Sequence, residues 1–251
     1  MSVTRAGSAR TLDIGKVLQD TINVLARNIM PFGLMAVLLV GIPSIIAGYG
    51  QYAGSRNFTA SLLAIVGALA SLVATPILQG GLIYGAMRDM SGDRASFKEC
   101  LTVGRKRWGS MLGFLILGGL GVGFGSILLI VPGVLLALRW SVSGPVLIME
   151  RGRSIGDAMG RSVDLTKGRR GSIFLLLLVY AVLFMIYEAV VLVAAGGVTA
   201  IASKPVLVIV VTPLVNIASN LLLSVGVAAL YRQLRGDRDS ASPDALAEVF
   251  A

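Results

Sequence analysis

The sequence predicts an all-α integral membrane protein, with six transmembrane helices arranged as three hairpins and amphipathic interfacial helices on the cytoplasmic side. Three observations predict it. Of 251 residues, 55% are hydrophobic and 14% charged, with a mean hydropathy of +0.84. A soluble domain averages about 45–50% apolar and about 25% charged, so this surplus does not fit inside one soluble core. The uncharged runs have the length needed to cross roughly 30 Å of hydrocarbon, about 17–25 residues. Lysine and arginine crowd into alternate connections between those runs.

The spans follow in order. Pro31–Gly50 is the first uncharged run, and Asn57–Met87 is a second, long enough to cross and project beyond the membrane. Trp108–Leu138 is too long for one crossing and contains Val131-Pro132-Gly133, a turn signal, so it divides there into spans three and four, the latter ending near Met149. Gly171–Tyr187 continues past Glu188 to about Ala195, and Pro205–Tyr231 is the last. Nineteen of the 22 cations fall before the first span, in two alternate connections and after the last span. Arg56 and Lys204 fall on the other side, and Arg139 lies within a span. This asymmetry places both termini on the cytoplasmic side and supports an even number of crossings. No cleavable signal peptide is read, so the first span is expected to remain as an anchor. Residues 1–235 are expected to form one polytopic domain and 236–251 a short cytoplasmic tail.

A degenerate threefold pattern runs through the chain, with pseudo-repeats at about 12–93, 96–150 and 154–235. Each opens on Asp13, Ser96 or Ser154, residues that cap helix N-termini. Apolar residues then recur on one helical face, as at Ile14, Val17 and Leu18. Three amphipathic helices lying flat on the inner leaflet are expected, each feeding a pair of spans. Thr75-Pro76-Ile77-Leu78-Gln79 in span two is echoed by Thr212-Pro213-Leu214-Val215-Asn216 in span six.

The run Leu136-Ala137-Leu138-Arg139-Trp140, then Pro145-Val146-Leu147-Ile148-Met149-Glu150, then Ala158-Met159-Gly160-Arg161-Ser162, then Leu165-Thr166-Lys167-Gly168 resembles a recurring signature. It is similar to the membrane domain attached to some bacterial glycerophosphodiester phosphodiesterases, and to stand-alone multi-pass proteins related to that domain. The opening Leu12-Asp13-Ile14-Gly15 is similar to that group's start. In the attached form catalysis belongs to a separate soluble barrel, and that activity is not carried over to this histidine-free sequence. What the resemblance implies is an inner-membrane helical bundle.

Chemistry is sparse. Without histidine, and with Cys100 as the one cysteine, His-based acid–base catalysis, nearly every zinc site and an internal disulfide are excluded. No catalytic, cofactor or metal site is expected. The intramembrane charges Arg139 and Glu188 lie at similar depths and are expected to approach each other, directly or through a polar neighbour, since such charges face the bundle interior. Thr212, Asn216, Asn220 and Ser224 form one polar stripe at four-residue spacing, and Ser71, Thr75 and Gln79 form another. Amides in hydrocarbon need partners, so the stripes are read as bundle glue or as the wall of a polar path. Arg139, Glu188, Asn216, Asn220, Thr212, Gln79 and Thr75 are the candidate intramembrane site.

Gly119-x-x-x-Gly123 and Gly121-x-x-x-Gly125 in span three predict close helix packing, within or between subunits. The GxG they contain is not a dinucleotide fingerprint, because no strand precedes it. The net charge of +9 is spread over four segments at the membrane, which points to anionic headgroups and away from nucleic acid. Arg105, Lys106, Arg107, Lys167, Arg169 and Arg170 are the candidate headgroup contacts. The leading expectation is a non-enzymatic membrane protein acting in membrane, envelope or lipid organisation. It would work through lipids, a membrane-protein partner or a second copy. The alternative is a small transporter or permease with a polar path between spans two, four, five and six. A water-accessible cleft joining Asn216, Gln79 and Glu188 would favour transport, and a dry core with apolar grooves would favour the first.

Overall fold

A computed structural model describes residues 12–54, 57–150, 152–197 and 205–239. Helix dominates throughout, and the described residues contain no strand. Six helices are long and apolar enough to cross a membrane. In chain order the elements are α1 (Ile14–Arg27), α2 (Ile29–Ala36), a π-helical segment (Val37–Gly41) and α3 (Ile42–Gly54). Next come α4 (Phe58–Met90), α5 (Phe97–Leu128), α6 (Ile130–Trp140) and α7 (Ser143–Met149). The last are α8 (Ile155–Thr166), α9 (Arg170–Ala194) and α10 (Pro205–Asp239). The first span is α2, the π segment and α3 in one run, Ile29–Ala53, and the fourth is α6 with α7, Ile130–Met149.

The helix starts are where the sequence puts them. Asp13 caps α1 by accepting from the Lys16 amide at 3.0 Å. Ser96 and Ser154 open α5 and α8 with reciprocal capping boxes to Glu99 and Asp157, which satisfy amides the first turn leaves free. Asn57 caps α4 through Thr59 and Ala60. Gly92 and Gly168 end α4 and α8 with φ of +91° and +82°, a left-handed conformation glycine adopts without steric cost.

Three boundaries differ from expectation. The break between spans three and four falls at Leu129, three residues before Pro132. Pro132 instead sits in the first turn of α6, where its missing N–H is one of the amides that would have no helical partner anyway. The second amphipathic segment is not a separate helix. Phe97–Leu101 is the start of α5, which runs unbroken for 32 residues, about 48 Å. The last helix does not stop at Tyr231 but continues through Gly236 to Asp239, and residues 240–251 of the expected tail lie outside the described residues.

Packing rests on close backbone approach. α4 lies against α3 on one side and α5 on the other, with α10 filling the space beside α3, α4 and α1. A methyl group built on Gly104 would lie 2.2 Å from the Ile77 carbonyl oxygen, and one on Gly81 would lie 2.8 Å from that of Cys100. The rings and thioethers of α2 fill the adjoining notches, Phe32 over Gly85 and Met35 over Gly81. The two GxxxG steps of α5 diverge. Gly121 receives the Trp140 indole and Gly125 meets Gly133 of α6, whereas Gly119 and Gly123 face open space.

α9 stands apart, burying only Ile173, Leu176 and Tyr180, and touching α10 far less than α4 does. Tyr180 anchors it, its hydroxyl 2.9 Å from Thr21 and its ring over Gly226. α1 turns Val17, Thr21 and Val24 inward against α10 and α4. Its apolar face is therefore spent on the bundle, and so is that of α8, which packs on α6 and α7. Large apolar side chains cover the outside, including Met30, Phe58, Ile127 and Val193. An apolar surface of this extent is compatible with a membrane.

Candidate functional site

The polar residues of three neighbouring helices meet in the middle of the bundle. Gln79 of α4 donates from Nε2 to Oδ1 of Asn220 at 3.2 Å. Asn220 in turn donates to the Asn216 carbonyl at 2.9 Å, and Asn216 donates to Oγ of Ser44 at 3.3 Å. The two sequence stripes therefore do face each other at the Gln79–Asn220 rung. Asn216 instead turns to the first span, a partner the stripe pattern of spans two and six did not indicate.

Each of the three helices is irregular near this chain of amides. Pro213 in α10 leaves the Ile209 carbonyl without its helical donor, and Pro76 in α4 does the same for Leu72. The first span passes through its π-helical segment immediately before Pro43 and Ser44. Such segments accommodate a lost helical hydrogen bond and recur at functional sites.

Beside the chain opens a cavity of about 600 Å³, whose lining includes Ser44, Gln51, Tyr52, Ser71, Thr212 and Asn216. Thr75, half-buried on the same face of α4, makes no hydrogen bond among the described residues. Below the Gln79–Asn220 rung is a smaller cavity of about 150 Å³, reached by Gln79, Ser141 and Ser224. Asn216 lines the larger space and Gln79 the smaller, and Asn220 bonds to both residues.

The segment from Leu136 to Gly168 folds upon itself. Span four breaks at Ser141-Val142, and the Ser162 hydroxyl of α8 fills the gap. It donates to the Arg139 carbonyl at 2.7 Å and accepts from the Val142 amide at 3.3 Å. Eight residues past the break, Glu150 accepts from the Tyr231 hydroxyl of α10 at 3.1 Å and pairs with Arg153 and with Arg161. These contacts tie α7, α8 and α10 at one end of the bundle. Arg27–Asp89 at 2.5 Å and Arg169–Asp237 at 2.6 Å close other connections there. Asp157 beside them is held below the usual carboxylate range, chiefly by the hydrogen bonds it accepts from Ser154.

The expected approach of Arg139 to Glu188 is not a direct pairing: no ion pair joins them within 4.0 Å. Glu188 is exposed on the outward side of α9, away from both cavities. Equal depth on two helices does not fix azimuth, and α9 turns this face out. Arg139 is half-buried, with its Nε lacking a hydrogen-bond partner among the described residues.

The basic candidates divide as well. Arg105, Lys106 and Lys167 are exposed, Arg107 and Arg170 are half-buried, and Arg169 is committed to Asp237. Elsewhere an almost wholly apolar groove of about 290 Å³ runs between the α1–α2 junction, α9 and α10, with Leu25, Ile29, Phe184, Tyr187, Leu221 and Leu222 in its wall. It exists because α9 stands away from α10. No family model, no curated protein and no solved structure matches this chain.

Proposed function

We propose that the chain is a non-enzymatic, multi-pass protein of a bacterial inner membrane with both termini cytoplasmic, acting in membrane or envelope organisation by holding lipid. The observation that carries this is the apolar groove beside α9, about 290 Å³ in volume and open at the surface. Acyl chains need an apolar, lipid-accessible slot, and this one lies between membrane-length helices. Arg105 and Lys106 at the basic end are exposed and free of ion pairs among the described residues. Each well-placed cation there attracts anionic headgroups by about 1 kcal/mol. α1 and α8 support the reading of amphipathic helices at the inner leaflet by their capped starts and exposed polar faces, although their apolar faces pack on the bundle.

The test is purification in native lipid, followed by mass spectrometry of what is retained. The proposal expects a phospholipid held near one per chain, lost in Ala218→Trp, which fills the groove. Retention of bulk lipid unchanged by Ala218→Trp would contradict it.

Transport is the second reading, and the 600 Å³ polar cavity favours it. The cavity meets the criterion for a pathway in part: Asn216 and Thr212 line it, Gln79 connects to Asn216 through Asn220, and Glu188 lies outside it.

A further inference from the structure

We infer that the cavity between α3, α4 and α10 is a binding site for an uncharged, polyhydroxylated group, a free polyol or sugar or the glycosyl headgroup of a lipid. This deepens the transport reading and rests on the same cavity, but it needs no translocation. Four observations point to it. The volume, about 600 Å³, falls in the range of small-molecule sites, about 300–1,000 Å³. The polar side chains in its wall are amides and hydroxyls, Ser44, Gln51, Tyr52, Ser71, Thr212 and Asn216, and none among the described lining residues is charged. An ion entering this depth without a countercharge loses its hydration uncompensated. A ligand rich in hydroxyls exchanges water for partners that both donate and accept.

The remaining two observations concern hydrogen-bonding capacity left over. Oδ1 of Asn216 accepts no hydrogen bond among the described residues, and neither the Gln51 amide nor the Thr212 hydroxyl makes one there. The Ile209 carbonyl, deprived of its helical donor by Pro213, belongs to a lining residue as well. Thr212 stands about 10 Å along α10 from its first residue and Asn216 about 16 Å. The cavity therefore offers acceptors and donors at two depths, with the Gln79–Asn220 rung beyond the deeper one. Aliphatic neighbours such as Ala47, Ala68 and Ile209 supply the apolar faces that the C–H side of a sugar ring contacts.

The experiment uses the full chain in detergent and in nanodiscs. Ligand-observed NMR measures binding of glycerol and a neutral hexose, and of the matching hexuronate and hexose phosphate. A parallel set of nanodiscs carries a monoglycosyl diacylglycerol. The site predicts saturable binding of a neutral ligand, with the charged analogues at least about tenfold weaker. Saturation by the free hexose or glycerol identifies a solute site, and saturation by the glycolipid alone identifies a headgroup site.

Asn216→Leu removes the deepest amide and is expected to weaken binding about tenfold, the effect of about 1.4 kcal/mol. Because Asn216 also bonds Ser44, Thr212→Val serves as the second variant. It is isosteric and breaks no hydrogen bond within the described residues, and it is expected to weaken binding several-fold with an unchanged melting temperature. Binding of a charged analogue as tight as its neutral counterpart, no binding of either source, or full binding in Thr212→Val and Asn216→Leu together would overturn the inference. Binding without uptake into proteoliposomes would leave it standing and remove the transport reading.

Discussion

Replacing Gly104 by alanine probes how α4 and α5 meet. The new methyl would sit 2.2 Å from the Ile77 carbonyl oxygen and 3.2 Å from the Gly81 amide nitrogen. Both atoms belong to the backbone of a 33-residue helix, so no side chain can swing aside. To restore an ordinary contact the helices must part by roughly 1 Å, and a gap of that size forfeits up to about half of each dispersion contact along the seam. Overpacking of this kind costs about 1–3 kcal/mol. In a chain of this length each kcal/mol lowers the melting temperature by roughly 2–4 °C.

Gly119→Ala is the control, because nothing lies within 4 Å of the added methyl, and alanine favours a helix interior over glycine by up to about 1 kcal/mol. Thermal unfolding in one detergent should therefore place Gly104→Ala about 2–12 °C below the wild type and Gly119→Ala level with it or above. Equal melting of the two variants would refute the proposed contact between the backbones.

Ser162→Ala should destabilise by about 1–3 kcal/mol, because it strips partners from the Arg139 carbonyl and the Val142 amide together; denaturant titration reads this, and a loss within error would remove the role assigned to the hydroxyl. Glu188→Gln should change stability by no more than about 0.5 kcal/mol, as expected for an exposed side chain. The Arg139→Gln, Glu188→Gln double variant should equal the sum of its singles, and a coupling above about 0.5 kcal/mol would restore the pair. Asp157, whose carboxyl is held low by Ser154, should stabilise α8 above the usual carboxylate range and lose that contribution as pH falls through its lowered value. The stability gap between the wild type and Asp157→Asn should then shrink on acidification, and a gap that widens would contradict the capping geometry.

What could be read from residue order alone was what local chemistry decides. Uncharged run lengths located six membrane-length helices, and Asp13, Ser96 and Ser154 marked three helix starts because a cap needs only its own turn. The Gln79–Asn220 rung was legible because a four-residue polar spacing keeps one face and an amide in hydrocarbon requires a partner.

Helix rotation was not legible. Glu188 faces outward because α9 turns Ile173, Leu176 and Tyr180 to the bundle and donates from the Tyr187 hydroxyl to the Leu214 carbonyl of α10, and nothing in its own sequence sets that azimuth. The Gly81-x-x-x-Gly85 step was passed over for the longer glycine run of α5, yet Gly81 and Gly85 are where Met35, Phe32 and Cys100 come closest. Ser162 was visible in the signature, and Gly144-Pro145 stands just past the break at Ser141-Val142, but nothing in residue order brings that hydroxyl of α8 to the gap.

Placing single cysteines on the two ends of the chain tests the six-crossing account most directly. In a Cys100→Ala background, Lys16→Cys, Arg105→Cys, Arg232→Cys and Arg56→Cys are exposed in turn to a membrane-impermeant maleimide, in intact spheroplasts and in inverted vesicles. The account predicts labelling of the first three from the inner face and of Arg56→Cys from the outer. Lys16→Cys and Arg232→Cys reacting from opposite faces, or Arg105→Cys reacting together with Arg56→Cys, would contradict it.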